Sequence, residues 1–213
     1  MKQLIIILIF SSVLISQEFQ IARIQYSGGG DWYSDPSSLP NLLHFLRTNT
    51  PMVNASEEVR IKLTDSKAKQ YPYLYLTGHG NIRFTENEVI ELRSILSNGG
   101  FLHADDNYGM DQSFRREIKK VFPNKDLIEL PKNHEIFNSY FNFPDGLPKV
   151  HEHDNKPPQA FALFENKRMI LLYTYESDLG DGWEDASVHK DPWPIRESAL
   201  KMGVNIIYYA LSQ

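Results

Sequence analysis

His151-Glu152-His153-Asp154 is the string in this chain with the plainest capacity for metal chemistry. Residues two apart on an extended segment share a face, so both imidazoles can meet one zinc or similar transition ion. A third ligand must come from elsewhere, and Asp105, Asp178 and Glu176 are the candidates. The competing interpretation is a polar surface loop.

Asp105-Asp106 follows the apolar run Phe101-Leu102-His103-Ala104 directly. Either carboxylate could ligate a metal or act as a general base. Neighbours on extended chain point to opposite sides, so one of the two is expected to face a crevice and the other to serve as a helix cap or Asx-turn. His79 lies between Gly78 and Gly80, where a ligand can approach the backbone closely; it could bind metal, move a proton, or simply bond a neighbouring loop.

Glu176, Asp178, Asp181, Glu184 and Asp185 form an acidic run around Trp183, without the spacing of an EF-hand loop. Trp183, together with Trp32 and Tyr33, could stack on a sugar or aromatic ligand; the alternative is a lid packed on its own aromatics. The expected ligand-facing set is therefore Asp31, Trp32, Tyr33, His79, Asp106, Asn107, Glu176, Asp178 and Trp183. His79, Asp105 and Asp106 are the catalytic candidates, and His151, His153, Asp105 and Asp178 the metal candidates. A divalent ion is the only cofactor these residues suggest.

Other chemistries fail on their motifs. Gly28-Gly29-Gly30 is neither a dinucleotide fingerprint nor a Walker loop, and Asp31 beside it would repel phosphate. Ser177 lacks the G-x-S-x-G frame of a serine hydrolase. The chain has no cysteine, which removes disulfides, thiolate metal sites and cysteine nucleophiles together. Net charge is −5 without a basic cluster, which excludes a nucleic-acid surface.

These residues are placed by a recurring unit, an apolar strand ending in a Gly-rich or acidic cluster. Phe19 to Tyr26 runs into Gly28-Gly29-Gly30-Asp31, Tyr71 to Leu76 into Gly78-His79-Gly80, Phe101 to Ala104 into Asp105-Asp106, and Arg168 to Tyr175 into the acidic run. Between them lie amphipathic helices. One carries Leu42, Leu43, Phe45 and Leu46 and is capped by Ser37 or Ser38, with Pro40 in its first turn. A second starts at a Thr85–Glu88 capping box and stops at Asn98-Gly99-Gly100. A third, capped by Asp111, carries Phe114, Ile118, Val121 and Phe122, and a last helix runs from about Ile195 to Leu211. Val59 to Leu63 alternates as a peripheral, half-buried strand, and Ile128 and Leu130 mark a further candidate. The stretch from Asn124 to Pro158 has no readable period.

Strands alternating with helices predict a three-layer α/β sandwich with a mostly parallel sheet. Ligands of such sheets bind at the carboxyl ends of the strands, which is where all four clusters should converge. Residues 17–213 suit one domain with a sizeable core. Residues 1–16, with Lys2 and the apolar run Leu4 to Ile15, read as a signal peptide, too short for a permanent span. No Cys follows, which excludes a lipoprotein, and the expected location is periplasmic or secreted, with no stable membrane span after cleavage.

Five strings resemble the bacterial domain of unknown function 4159. They are Gly29-Gly30-Asp31-Trp32-Tyr33, Tyr71 to His79, Asn98 to Asp106, Asp178 to Glu184 and Met202-Gly203-Val204-Asn205-Ile206. The resemblance covers essentially all of residues 17–213 and is specific only as a set. That family is similar to the class I glutamine amidotransferase-like superfamily, which implies a flavodoxin-like sandwich. The superfamily's nucleophilic cysteine would fall within His103-Ala104-Asp105-Asp106-Asn107, which holds none, so thiolate glutaminase chemistry is impossible here.

The expectation is thus an exported module that binds a small molecule or envelope component in the strand-end crevice through Asp105, Asp106, His79, Asp178 and Trp183. The alternative is a metal-dependent hydrolase of a sugar or envelope component, with His151, His153 and Asp105 or Asp178 as ligands; it requires both histidines to lie near the strand ends. A structural protein partner is a third reading, which a broad exposed apolar patch would favour.

Overall fold

The computed structural model describes residues 18–52 and 54–213, so the leader expected over residues 1–16 lies outside the described residues. The described strands are β1 (Ile21–Ile24), β2 (Val59–Ile61), β3 (Tyr73–Gly78), β4 (Phe101–Asp106), β5 (Ile128–Glu129), β6 (Gln159–Glu165) and β7 (Arg168–Tyr175). They form one sheet in the order β2-β1-β3-β4-β7-β6-β5. β2, β1, β3, β4 and β7 are parallel; β6 and β5 extend the β7 edge antiparallel.

The central strands read as unbroken apolar runs because both faces are covered. Every residue of β3 and of β4 is buried. On one face Ile21, Tyr73, Tyr75 and Leu172 pack with Leu39, Leu42, Leu43 and Leu46 of α1 (Ser38–Asn49) and Ala199, Met202 and Ile206 of α6 (Trp193–Ser212). On the other, Leu74, Leu76, Leu102 and Tyr173 pack with Leu92, Ile95 and Leu96 of α2 (Glu86–Ser97) and Phe114, Ile118 and Val121 of α3 (Asp111–Val121). Alternation along the strands therefore divides the core into two halves and makes an α/β sandwich. Among the described residues no helix is long and apolar enough to cross a membrane.

The Thr85–Glu88 capping box forms as its spacing predicts, with both reciprocal bonds present. Two other expected caps do not. Asp111 lies inside α3, bonded to Arg115, and the helix start is held instead by Asp106, whose Oδ1 accepts from the Met110 amide at 3.1 Å. Ser37 precedes α1 without a side-chain cap; its Oγ accepts from the Asp185 amide at 2.9 Å, tying α1 to the loop after β7.

β6 was hidden in the sequence. It pairs with β7 through a tight hairpin in which Asn166 and Lys167 both adopt positive φ, the backbone of a two-residue turn, without the Asn-Gly pair that usually announces one. The segment before it holds only a single 3-10 turn at Glu135–Asn138 and the two-residue edge strand β5, in keeping with its irregular pattern.

Candidate functional site

Because β1, β3, β4 and β7 are parallel neighbours, the loops that follow them share one rim. The β1 loop is pinned by a charge inside an apolar strand. Arg23 is fully buried; its guanidinium donates to Ser34 O at 2.7 Å, Asp35 O at 3.3 Å and Ser38 Oγ at 3.2 Å, and pairs with Glu58 at 2.9 Å. These bonds fix the backbone of Asp35, which sits at φ +52°, and aim its carboxylate toward the β4 end.

At the β4 end the two aspartates divide as strand geometry requires. Asp105 is completely buried, accepts from the Gly180 amide at 2.6 Å and from Thr174 Oγ1, and its carboxyl is pushed up to about 7 by burial. Asp106 turns to the opposite face, where it accepts from Met110 N and from Tyr173 Oη at 3.0 Å. Asp106 is thus engaged as a helix clasp and does not join the histidines. Asn107 does reach the cluster: its amide donates to Asp35 and, at 3.3 Å, to Asp181 Oδ1, while Thr77 Oγ1 donates to its carbonyl oxygen at 3.0 Å.

After β7 the chain turns sharply. Glu176 and Asp178 both hold left-handed φ of +56°, a conformation that costs a non-glycine residue energy and is paid back only by its surroundings. Asp178 leads into the short helix α4 (Leu179–Trp183), whose Gly180 fits where a side chain could not: a Cβ there would stand 2.9 Å from Asp35 Oδ2 and 3.2 Å from Asp105 Oδ2. Burial raises Asp178 to about 8, with Asp105 and Asp181 adding repulsion, and burial followed by Asp181 raises Asp35 to about 7. One oxygen of Asp178, Oδ1, is buried without a hydrogen-bond partner among the described residues.

The histidines meet these carboxylates. His151 Nδ1 lies 2.9 Å from Asp181 Oδ2 and its Nε2 3.0 Å from Asp191 Oδ2. The bond to Asp181 holds the imidazole protonated, up to about 9. His189, at the end of α5 (Ala186–His189), places Nε2 3.7 Å from Asp181 Oδ1. The ligand atoms of His151, Asp181 and His189 lie within 4.8 Å of one another, close enough to share a cation. His153 pairs separately with Asp178 Oδ2 at 2.5 Å, and that oxygen is 3.8 Å from His151 Nδ1.

The expected metal set is therefore rearranged. Both His151 and His153 do reach the strand ends, but on different carboxylates, and Asp105 points away toward Thr174 and the Gly180 amide. Asp181 and His189 complete the three-residue group instead. Glu176 is buried and answered by Lys149 at 3.4 Å. Trp183 is wholly enclosed: its Nε1 donates to Ala199 O at 2.8 Å and its ring packs on Tyr75 and His103, because α4 turns it inward. It cannot stack on a ligand. Trp32 is half-buried, whereas Tyr33 beside it is 60% exposed.

On the β1–β3 side, His79 Nδ1 lies 3.1 Å from Asp31 Oδ2, and the His79 amide donates to Asp31 Oδ1. His189, Asp191, Asp35 and Arg23 were missed by sequence reasoning. Arg23 had a signal, a lone charge in the run Ile21-Ala22-Arg23-Ile24, and His189-Lys190-Asp191 follows the acidic run closely enough to have been weighed with it. Among curated proteins nothing matches the chain. The match to the family described as domain of unknown function DUF4159 runs over residues 20–211, nearly the whole chain, and the protein belongs to that family.

Proposed function

We propose that this protein binds a divalent metal ion in its strand-end crevice and uses it for hydrolytic chemistry on a sugar or cell-envelope component. The observation that carries the reading is the convergence of His151, Asp181 and His189, from three separate segments, to within 4.8 Å. Two imidazoles and a carboxylate form a donor set that suits zinc and leaves coordination open for water, once the ion displaces the proton that His151 shares with Asp181. Asp178, whose Oδ1 is buried without a hydrogen-bond partner among the described residues and whose Oδ2 lies 3.8 Å from His151 Nδ1, adds a polar atom beside the group.

A bound ion of this kind lowers the pKa of its water toward neutrality. The chain's own residues have assigned tasks. Asp191 holds the second nitrogen of His151 and so orients the ring. Asn107 steadies Asp181 and Asp35 together. Asp178, 3.8 Å from His151, is the carboxyl placed to exchange a proton beside the group. The setting we favour is a flavodoxin-like, amidotransferase-like fold acting outside the cytoplasm after removal of residues 1–16.

Elemental analysis of protein purified without chelator tests this. We expect about one equivalent of zinc or another transition ion such as manganese, lost in His189→Ala and Asp181→Asn. A folded protein that holds no metal and takes up none on zinc titration overturns it. That result would favour a plain ligand-binding or interaction module, for which Tyr33, 60% exposed on a strand-end loop, offers a stacking surface; Tyr108 already stacks on His153.

A further inference from the structure

A second chemical group lies on the same rim, apart from the histidine–aspartate group. Asp31, in the loop after β1, accepts the backbone N–H of His79 on one oxygen and faces its Nδ1 at 3.1 Å with the other. The grip is two-pointed, so it fixes the position of the residue and the rotation of its ring together. The Asp31 amide in turn donates to His79 O at 3.4 Å, and Gly30 N donates to Asn81 O at 3.0 Å, so the two loops are laced by backbone.

Glycine is required for that approach. A Cβ at Gly78, where φ is +134°, would stand 2.9 Å from both the carbonyl and the carboxylate of Asp31, and one at Gly30 would stand 2.7 Å from His79 O. Loops packed this closely hold the pair rigidly, yet the His79 side chain is 51% exposed and its Nε2 has no hydrogen bond among the described residues. A carboxylate on Nδ1 selects the tautomer with its proton on that nitrogen and leaves the Nε2 lone pair facing outward.

We propose that Asp31 and His79 form a proton-transfer dyad that serves ligands in the strand-end crevice. His79 Nε2 takes the proton of a water or ligand hydroxyl as that oxygen bonds to a carbonyl carbon of a bound ester or amide; the imidazolium is held by Asp31, and the same proton passes to the departing oxygen or nitrogen as its bond to that carbon breaks. The placement fits a ligand that spans the rim. Gly78 pairs in register with Asp106, which puts His79 beside Asn107, and Asn107 bonds Asp181 of the histidine–aspartate group. β3 and β7 stand two strands apart, or about 10 Å at the usual spacing. The dyad does not depend on an ion being bound.

The test is the rate at which diethyl pyrocarbonate modifies each histidine at neutral pH, mapped by peptide mass spectrometry on chelator-treated protein. His44, exposed on α1, is the internal reference. We expect His79 to react at least about threefold faster than His44. In Asp31→Asn the amide N–H faces Nδ1, the tautomer reverses, and the rate should fall to that of His44. Asp31→Glu, which keeps a carboxylate, should retain most of it. Equal rates for His79 and His44 in the wild type, or no change in Asp31→Asn, overturn the proposal. Thermal melting checks that each variant folds; if Asp31→Asn does not, the wild-type ratio and Asp31→Glu decide. Chelation keeps the result separate from the metal count, so either reading can fail alone.

Discussion

The two halves of the rim solve opposite problems. Around the β7 end, Asp35 from the β1 loop, Asp105 from β4, and Asp178 and Asp181 from the turn after β7 are drawn into a space where water is largely excluded, and burial dominates the rise in three of their carboxyl pKa values. After β1 and β3, Asp31 and His79 stand half in solvent, and glycines rather than burial bring them together. The first arrangement stores unfavourable charge that a cation would relieve. The second stores almost none and gains only orientation. The same sheet edge thus carries one region under electrostatic load and one that is merely well placed.

The largest effect should come from the residue that holds the loaded side in place. Arg23→Ala removes the donor of Glu58 Oε2 and of several buried carbonyls, leaving Arg60 alone on Glu58, and should lower stability by about 3–5 kcal/mol, measured by urea unfolding. A loss below about 1 kcal/mol would mean the loop after β1 holds itself.

The next effect is pH dependence of the metal-free protein. Asp178 rises from 3.8 to about 8 in the folded state, so between those values the folded chain binds more protons than the unfolded one. Its contribution is therefore fully present below about pH 4 and lost as pH rises toward 8. His151, raised from 6.5 to about 9, adds loss of the same sign above pH 6.5. Thermal melting should fall by about 5 °C or more between pH 5 and pH 8, and zinc should restore it at pH 8. Asp178→Asn should flatten much of that decline, because the amide has no proton to lose; an unchanged slope would move the load to another carboxylate.

The smallest effect on stability belongs to the open pair. Asp31→Asn should change unfolding free energy by less than about 1 kcal/mol, since the contact is partly exposed and the amide oxygen can still accept the His79 backbone N–H. A larger loss would make Asp31 a structural clasp as well as the orienting group. Gly78→Ala, by contrast, forces a side chain into a left-handed position against Asp31 and should cost about 2 kcal/mol or more.

Much of the fold was legible because its signals are local. Tyr71 to Leu76 and Phe101 to Ala104 read as buried strands from their apolar runs, and Thr85 with Glu88 announces a helix start by spacing alone. β6 was not legible, since Gln159 to Glu165 pairs through a turn whose residues lack the usual glycine. The site was legible as a place and not as a set of contacts. Asp105 and Asp106 could be divided in principle, but which faced the cluster depended on where α3 and Gly180 lie. Trp183 looked like a ligand platform until α4 turned it into the core.

By itself the sequence determined membership in one family, an α/β alternation, and four strand ends bearing polar residues, all consequences of periodicity and composition along the chain. Only the tertiary structure decided that His151 joins Asp181 and His189 while His153 takes Asp178, and that Asp31 orients His79. Those pairings connect residues 25 to 48 positions apart, and at such separations the partner is chosen by strand order and loop packing, which no local pattern records.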